Sequence, residues 1–473
     1  MPPLEFLRPI LSILPEVPKA KRIVGFREKL VWTVVVLTIY LAFTQIPLYP
    51  VSRTQQEFFS PLFSIIFAAR FGTLAQLGVG PIVTAGLIMQ LLVGSKILNL
   101  DLTDKKQRAL FTGTQKLLAI LFTLLEAIVF VGGGLLRVQN LSAAVLVVIQ
   151  LFAVGILIIL FDEILQKGWG FGSAVSLFIL AGVASQIFTE LLSPVYVNGS
   201  YVGFFPNLVY VTAGGGKLEY LLFGNPEISR SSSLIGLIAM IIVLILIVYL
   251  QGVKIEIPVA YPKYGGLKAK IPLQLIYVSN VPVILAGALT ANLIFFSQIA
   301  WNNYNRTNTD PLLNMIAKFD IINNQPVPSG GLVYYLSPPR NIYNVMHDPV
   351  HAILYILIFT GLCVLFAKAW VETSGMSAEE QAKRMVKSGI QVKGFRHSEI
   401  VLKQLLNRYI PTLTWFSGLI IGLLASVSDA VGIIGTGIGI LLAVGIIYQY
   451  YRILLQQRIE EEFPTLARFL KGE

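Results

Sequence analysis

Residues 142–161 read SAAVLVVIQLFAVGILIILF, an unbroken apolar run without a charged side chain. Twenty residues in helical form extend about 30 Å, the depth of a bilayer's hydrocarbon core. In lipid the backbone polar groups of such a run must be satisfied internally, so it reads as a transmembrane helix. Comparable stretches lie near 29–49, 76–98, 114–136, 170–193, 233–251, 274–300, 350–371, 410–429 and 432–454. The chain therefore reads as an all-α polytopic membrane protein with about ten transmembrane helices. Composition agrees: of 473 residues 55% are hydrophobic and only 13% charged, and mean hydropathy is +0.73. That leaves too few charges to coat several soluble domains.

Net charge is +11, and its distribution orients the spans. With both termini inside, about 28 of the 36 Lys and Arg residues fall at cytosolic positions and about 8 outside, a strong positive-inside bias. The sequons at Asn140, Asn198 and Asn305 then lie outside. Residues 1–28 form a cytosolic segment in which Leu4, Leu7, Leu11 and Leu14 recur at helical spacing, an amphipathic helix on the membrane surface. The basic cluster Lys19, Lys21, Arg22 and Arg27 follows the apolar part, the reverse of a secretory signal. Five spans occupy 29–193 and five occupy 233–455, separated by an external loop at 194–232; 456–473 is a cytosolic tail. Because five is odd, the halves enter the membrane in opposite senses, as an inverted repeat with function between them requires. Small extracellular β-hairpins are expected: Asn198-Gly199 sits between two β-prone triplets, and Pro328-Ser-Gly-Gly331 before Leu332–Leu336 reads as a turn and a strand.

Several chemistries are not supported. Gly214-Gly-Gly-Lys217 is followed by Leu218 and lacks the hydroxyl of a phosphate-binding loop. Neither HExxH nor GxSxG occurs. His347 and His351 flank Pro349 and have no third ligand nearby in sequence, so neither a metal nor a cofactor is expected. The lone Cys363 leaves no intrachain disulfide. An enzyme has no residue support.

Three features ask for a function. Phe58 to Phe71 is apolar but too short to span, and Leu77-Gly-Val-Gly-Pro81 interrupts the backbone after it. It reads either as a loop on the outer surface or as a short helix folded back into a pore mouth. Glu126 stands at the centre of the third span, where a carboxylate costs about 2.5–3.5 kcal/mol on insertion scales and must face partners. Thr84 and Asn292 could supply them. As interhelical glue the three would hold a gate; as a coupling site Glu126 would make the chain a secondary transporter. Third, the inside loops at Gln251–Gln274 and Thr373–Asn407 are basic enough to dock an anionic partner.

The stretch Leu77-Gly-Val-Gly-Pro-Ile-Val-Thr-Ala-Gly-Leu-Ile-Met-Gln-Leu-Leu-Val-Gly-Ser95 resembles the second-helix signature of the SecY family. So do Gly172–Ile179, Tyr277–Ile284, Asn407–Pro411 and Gly435–Val444 in later spans. The resemblance covers nearly the whole chain, in order, and its wording is closer to the archaeal and eukaryotic branch. It implies the central (alpha) subunit of a protein-conducting channel, which moves unfolded secretory polypeptides outward and releases transmembrane segments sideways into lipid. Val79, Val83, Val175, Ile179, Ile284 and Leu442 fall at the positions of the family's pore ring. Phe58, Pro61, Leu62, Ile65, Ile66 and Arg70 fall in its plug. Thr84, Glu126 and Asn292 fall on the polar cluster of the lateral gate. Lys263, Lys268, Lys270, Lys393 and Arg396 fall in its ribosome-docking loops, with Gly265 where some relatives have arginine. The implied partners are SecE/gamma-type and beta-type small membrane subunits, the ribosome with its RNA, the signal recognition particle receptor, nascent chains and lipid. The implied location is an archaeal cell membrane, with the endoplasmic reticulum as the alternative.

Overall fold

A computed structural model describes residues 4–22, 24–51, 61–95, 97–98, 100, 102, 104–136, 138–225, 232–261, 267–278, 280–322, 325–339, 342–387 and 399–462. Phe58, Lys263, Lys393 and Arg396 lie outside them.

The elements follow the apolar pattern. A single turn, Arg8–Leu11 (α1), precedes Phe26–Phe43 (α2), a short helix Pro61–Ile66 (α3), Gly80–Gly94 (α4), Lys105–Gly132 (α5), Leu141–Ile164 (α6) and Ala174–Leu192 (α7). Two short external helices, Phe204–Thr212 (α8) and Leu218–Phe223 (α9), lead to Leu234–Gly252 (α10) and Val281–Tyr304 (α11). Pro311–Ile316 (α12), Gly331–Leu336 (α13) and Ile342–His347 (α14) precede Pro349–Thr373 (α15), Ala378–Lys387 (α16), Glu399–Val431 (α17) and Gly437–Glu462 (α18). Side-chain caps set several starts. Asn140 accepts from Ala143 N at 2.9 Å, Ser233 from Gly236 N at 2.9 Å and Asp348 from His351 N at 3.0 Å. Each satisfies a donor that the first helical turn leaves open.

Among the described residues, eight helices are long and apolar enough to cross a membrane: α5, α6, α7, α10, α11, α15, α17 and α18. The first expected span is α2, 18 residues long with Arg27, Glu28 and Lys29 in its opening turn. The second is cut short. Its helix begins only at Gly80 and has 15 residues, about 22 Å, less than a hydrocarbon core. The missing depth is occupied by irregular chain, of which Phe67–Ala69 and Ala75–Val79 are buried within the protein, where such backbone is tolerated.

Among the described residues, three antiparallel hairpins accompany the helices. Tyr196–Val197 (β1) and Ser200–Tyr201 (β2) pair around Asn198 and Gly199, both at positive φ (44° and 84°), the backbone that a tight two-residue turn demands. Lys254–Tyr261 (β3) pairs with Leu267–Gln274 (β4) between α10 and α11. Lys318–Ile322 (β5) pairs with Gln325–Gly330 (β6). Here the structure corrects the sequence reading. Leu332–Leu336 is not a strand but part of α13, and the strand is the Pro-containing stretch before it. Burial decides: helical spacing places Val333 and Leu336 together in the core, and β-propensity yields to such packing.

The N-terminal segment is strapped across α5 and α6. Lys116 bonds the Pro15 carbonyl and Glu163. The Val17 amide donates to Glu163 at 3.0 Å, Lys167 to Glu16 and to the Val17 carbonyl at 2.6 Å each, and Trp169 to the Pro18 carbonyl at 2.9 Å. The Lys167 ammonium holds the Glu16 carboxyl below the usual carboxylate range. Leu11 lies against Gly113, while Phe6, Ile10 and Ile13 face outward.

Candidate functional site

Helix α3 and the turn after it sit inside the helical bundle. Ile65, Ile66 and Phe67 are at most 1% exposed, and glycines on four surrounding helices make the room. A Cβ built at Gly287 of α11 would stand 2.5 Å from Ile66, one at Gly80 of α4 3.3 Å from Phe67, one at Gly182 of α7 3.6 Å from Ala68 and one at Gly439 of α18 3.6 Å from Ile65. Phe63 adds ring contacts to Phe67, Phe130 and Phe295 at centroid separations of 4.6, 6.3 and 5.2 Å. The seat is closed by backbone. Val79 N donates to the Phe67 carbonyl at 2.7 Å, and the Tyr40 hydroxyl donates to the Ala68 carbonyl. Gly78 has φ +53°, and a Cβ there would lie 2.0 Å from the Phe67 oxygen. Of the other predicted plug residues, Pro61 and Leu62 open α3, and Arg70 is exposed where the buried stretch ends.

Val79, Val83, Ile179 and Leu442 belong to the same contiguous apolar cluster as Ile65 and Ile66, with Val175 and Ile284 packed against it. The six ring candidates thus come from α4 and its N-cap, α7, α11 and α18, and the short helix adjoins them. The backbone near one is anchored by a half-buried carboxyl that the sequence reading does not single out. Asp162 accepts from Ser173 Oγ at 2.8 Å and from Val175 N at 3.2 Å. The Tyr450 hydroxyl donates to the Ser173 carbonyl at 2.8 Å, tying α18 to the same helix start.

The three gate candidates divide. Asn292 Nδ2 donates to Thr84 Oγ1 at 3.0 Å, joining α11 to α4. Glu126 is 4% exposed on α5, and among the described residues it makes no hydrogen bond to either. Its carboxyl faces the bare flank of Gly80, 3.4 Å from where a Cβ would be. It therefore adjoins the seat of the short helix.

Two further carboxyls hold the turn between α17 and α18. Glu190 accepts from Gly435 N at 2.7 Å and Asp429 from Gly437 N at 2.6 Å, while the Tyr355 hydroxyl donates to Asp429 at 3.1 Å. Polar residues at span ends carry little periodic signal, so only their buried partners reveal them. Of the basic loop residues, Lys270 is exposed and pairs with Glu256 at 2.5 Å, and Lys268 stands opposite Ala260 in the hairpin. Helix α16 is tied by Glu379, which pairs with Lys383 at 2.8 Å and Lys403 at 2.5 Å and whose carboxyl they hold down to about 2. His351 Nε2 donates to the Ser337 carbonyl at 3.0 Å and its ring stacks on Tyr334, and His347 Nδ1 donates to the Tyr343 carbonyl at 3.0 Å. Among the described residues no three His, Cys, Asp or Glu side chains gather as metal ligands.

A short helix seated by glycines, an apolar cluster around it and a polar pair between α4 and α11 are features shared with known proteins. The chain is 39% identical to a protein translocase subunit SecY of Sulfolobus acidocaldarius over 99% of both chains. It superimposes on a solved protein conducting channel with TM-score 0.82 and 38% identity, covering 98% of this chain and 99% of that one. It also matches Sec61 in a canine ribosome-channel complex from the endoplasmic reticulum, with TM-score 0.80, 37% identity, and 98% and 99% coverage. Residues 73–451 match the SecY family. This multi-pass membrane protein belongs to the SecY family.

Proposed function

We propose that the chain forms the pore of a passive protein-conducting channel that passes unfolded secretory polypeptides outward and releases transmembrane segments sideways into lipid. The observation that carries this reading is the seating of the buried residues of α3 and Phe67 in one apolar cluster with Val79, Val83, Ile179 and Leu442, against which Val175 and Ile284 pack. In this state the short helix is the plug, and Val79, Val83, Val175, Ile179, Ile284 and Leu442 are the constriction it covers. Residues 29–193 and 233–455 act as the two halves, hinged through 194–232. The Asn292–Thr84 bond is a weak latch between them, since one interhelical bond is worth about 0.6 kcal/mol. An entering apolar segment gains about 0.8 kcal/mol per buried CH₂, enough to offset such a latch.

The charge pattern supports cytosolic termini and an archaeal cell membrane fits the wording of the motifs, although relatives span an archaeon and the endoplasmic reticulum. The canine complex supports the ribosome as a partner, met by the basic loops around Lys263, Lys268 and Lys270 and around Lys393 and Arg396 through salt-dependent contact with RNA phosphates. The SecE/gamma-type and beta-type subunits and the signal recognition particle receptor complete the proposed partners.

Photo-crosslinking tests the pore. With a photoreactive residue at Val83, Ile284 or Leu442 and ribosomes stalled on a signal-bearing nascent chain, each position is expected to crosslink that chain, and deleting the signal should abolish all three. Docked ribosomes without crosslinks would refute the reading. Glu126→Gln tests the alternative of a proton-coupled transporter. The channel reading expects translocation to persist with altered signal-sequence stringency, because a neutral amide still packs beside Gly80; loss of transport together with proton-linked solute uptake in the unaltered chain would favour the transporter.

A further inference from the structure

Asn280 stands at the N-cap of α11, yet its side chain makes no capping hydrogen bond. An N-cap asparagine ordinarily turns its oxygen back to the first helical amides. Here the side chain is buried and turned outward from its own helix. Its Nδ2 donates to the carbonyls of Leu441 and Leu442 on α18, at 3.2 and 3.3 Å. Those carbonyls lie within α18, whose own ladder already supplies them with donors. The extra donation therefore satisfies no orphan group and acts as a tie between helices. The contact is close enough to dictate a neighbour: a Cβ built at Gly445 would lie 1.6 Å from the amide nitrogen. Glycine at 445 is thus explained by one specific side chain rather than by helix packing in general.

The placement of the tie gives it meaning. The Asn280 carbonyl accepts the Ile284 amide at 3.2 Å, the first helical bond of α11. One residue thereby holds two ring members, Ile284 through its backbone and Leu442 through its side chain. We propose that Asn280 is a positioning residue that locks Ile284 and Leu442 to each other, so that the parts of the constriction carried by α11 and α18 move as one jaw. This rests on the ring reading given above. With the tie cut, the two helices shift independently and the constriction no longer seals.

The test is resting ion conductance of the full chain in its complex, reconstituted in proteoliposomes, with the thermal midpoint of the complex measured in parallel. Leu442→Ser probes the ring itself and is expected to raise conductance; if it does not, the ring reading fails irrespective of Asn280. Asn280→Leu keeps the branched shape without the donor, and Gly445→Ala crowds the amide. Each is expected to raise conductance about fivefold, the population shift that follows from losing one net buried hydrogen bond. Asn280→Ala combined with Gly445→Ala is expected to leak no more than Asn280→Ala alone, because the added methyl fills the vacated space. Leakage with Leu442→Ser but wild-type conductance with Asn280→Leu would overturn the tie, as would a lowered midpoint with unchanged conductance or an additive double variant. Should Gly445→Ala fail to assemble, the Asn280→Leu and Asn280→Ala pair decides alone.

Discussion

Replacing Gly78 by alanine is expected to open the resting channel to ions. At φ +53° an L side chain is strained, and the new Cβ would meet the Phe67 carbonyl oxygen at 2.0 Å. Both partners are backbone, so no side chain can swing aside. Either the turn at Gly78 or the stretch from Phe67 to Ala69 must move, and with it goes the 2.7 Å bond from Val79 N to Phe67. That bond joins the turn after α3 to Val79, a member of the proposed ring. A closed state weakened by about 2 kcal/mol or more becomes roughly thirtyfold less dominant over open ones. The expected readouts are a resting conductance raised by at least about tenfold and export of a precursor that lacks its signal. The other plug-facing glycines supply a graded control. Gly287→Ala meets the flexible tip of Ile66 and Gly80→Ala meets Phe67 at 3.3 Å, so both should leak less. A Gly78→Ala channel as tight as the unaltered one, or one no leakier than Gly80→Ala, would contradict the seating described above.

Asp429→Ala is expected to cause the largest loss of stability among the side-chain truncations. Its two oxygens serve the Gly437 amide and the Tyr355 hydroxyl, and all three groups are buried. Truncation leaves a phenol and a helix-opening N–H without partners, at about 1–3 kcal/mol each. The turn they support has no slack: Gly432, Gly435 and Thr436 all have positive φ, and a Cβ at Gly437 would come within 2.3 Å of the Ala425 carbonyl. Asp429→Asn retains an acceptor and should lose about 1 kcal/mol. Thermal or denaturant unfolding of the complex measures both. Equal midpoints for the alanine and asparagine variants would mean that the carboxyl's hydrogen bonds contribute nothing. Leu442 lies only five residues beyond Gly437, so the alanine variant should also leak, linking this turn to the ring.

Much of this was legible before any coordinates. The spans were read from apolar length alone, because a bilayer imposes one thickness and one way of satisfying the backbone. Asn198-Gly199 announced its hairpin because few residue pairs accept two positive φ values in succession. The pairing of β3 with β4 also has a signal in the alternation of Lys254-Ile-Glu-Ile and Leu267-Lys-Ala-Lys-Ile, which the basic charge of the segment overshadows. Leu332–Leu336 misled because Val and Tyr favour strands in the average environment and not beside α15. Glu126 is legible as a carboxyl that must turn inward, but the flank it meets, at Gly80 of α4, is not, since sequence separation says nothing about which flank of α5 it takes.

The sequence by itself determined that this is a helical membrane protein and which motifs relate it to a family, because these depend on composition, spacing and local backbone freedom. Only the tertiary structure decided what the glycines and the buried polar groups are for. Gly78, Gly287 and Gly445 are defined by the atom that approaches each from another part of the chain, and Asn280, Glu190 and Asp429 by the backbone groups they meet across helices. Such meetings join residues up to 245 positions apart, as between Glu190 and Gly435. Periodicity along one helix carries no information about them, whereas the packed bundle leaves each of these side chains a single place to go.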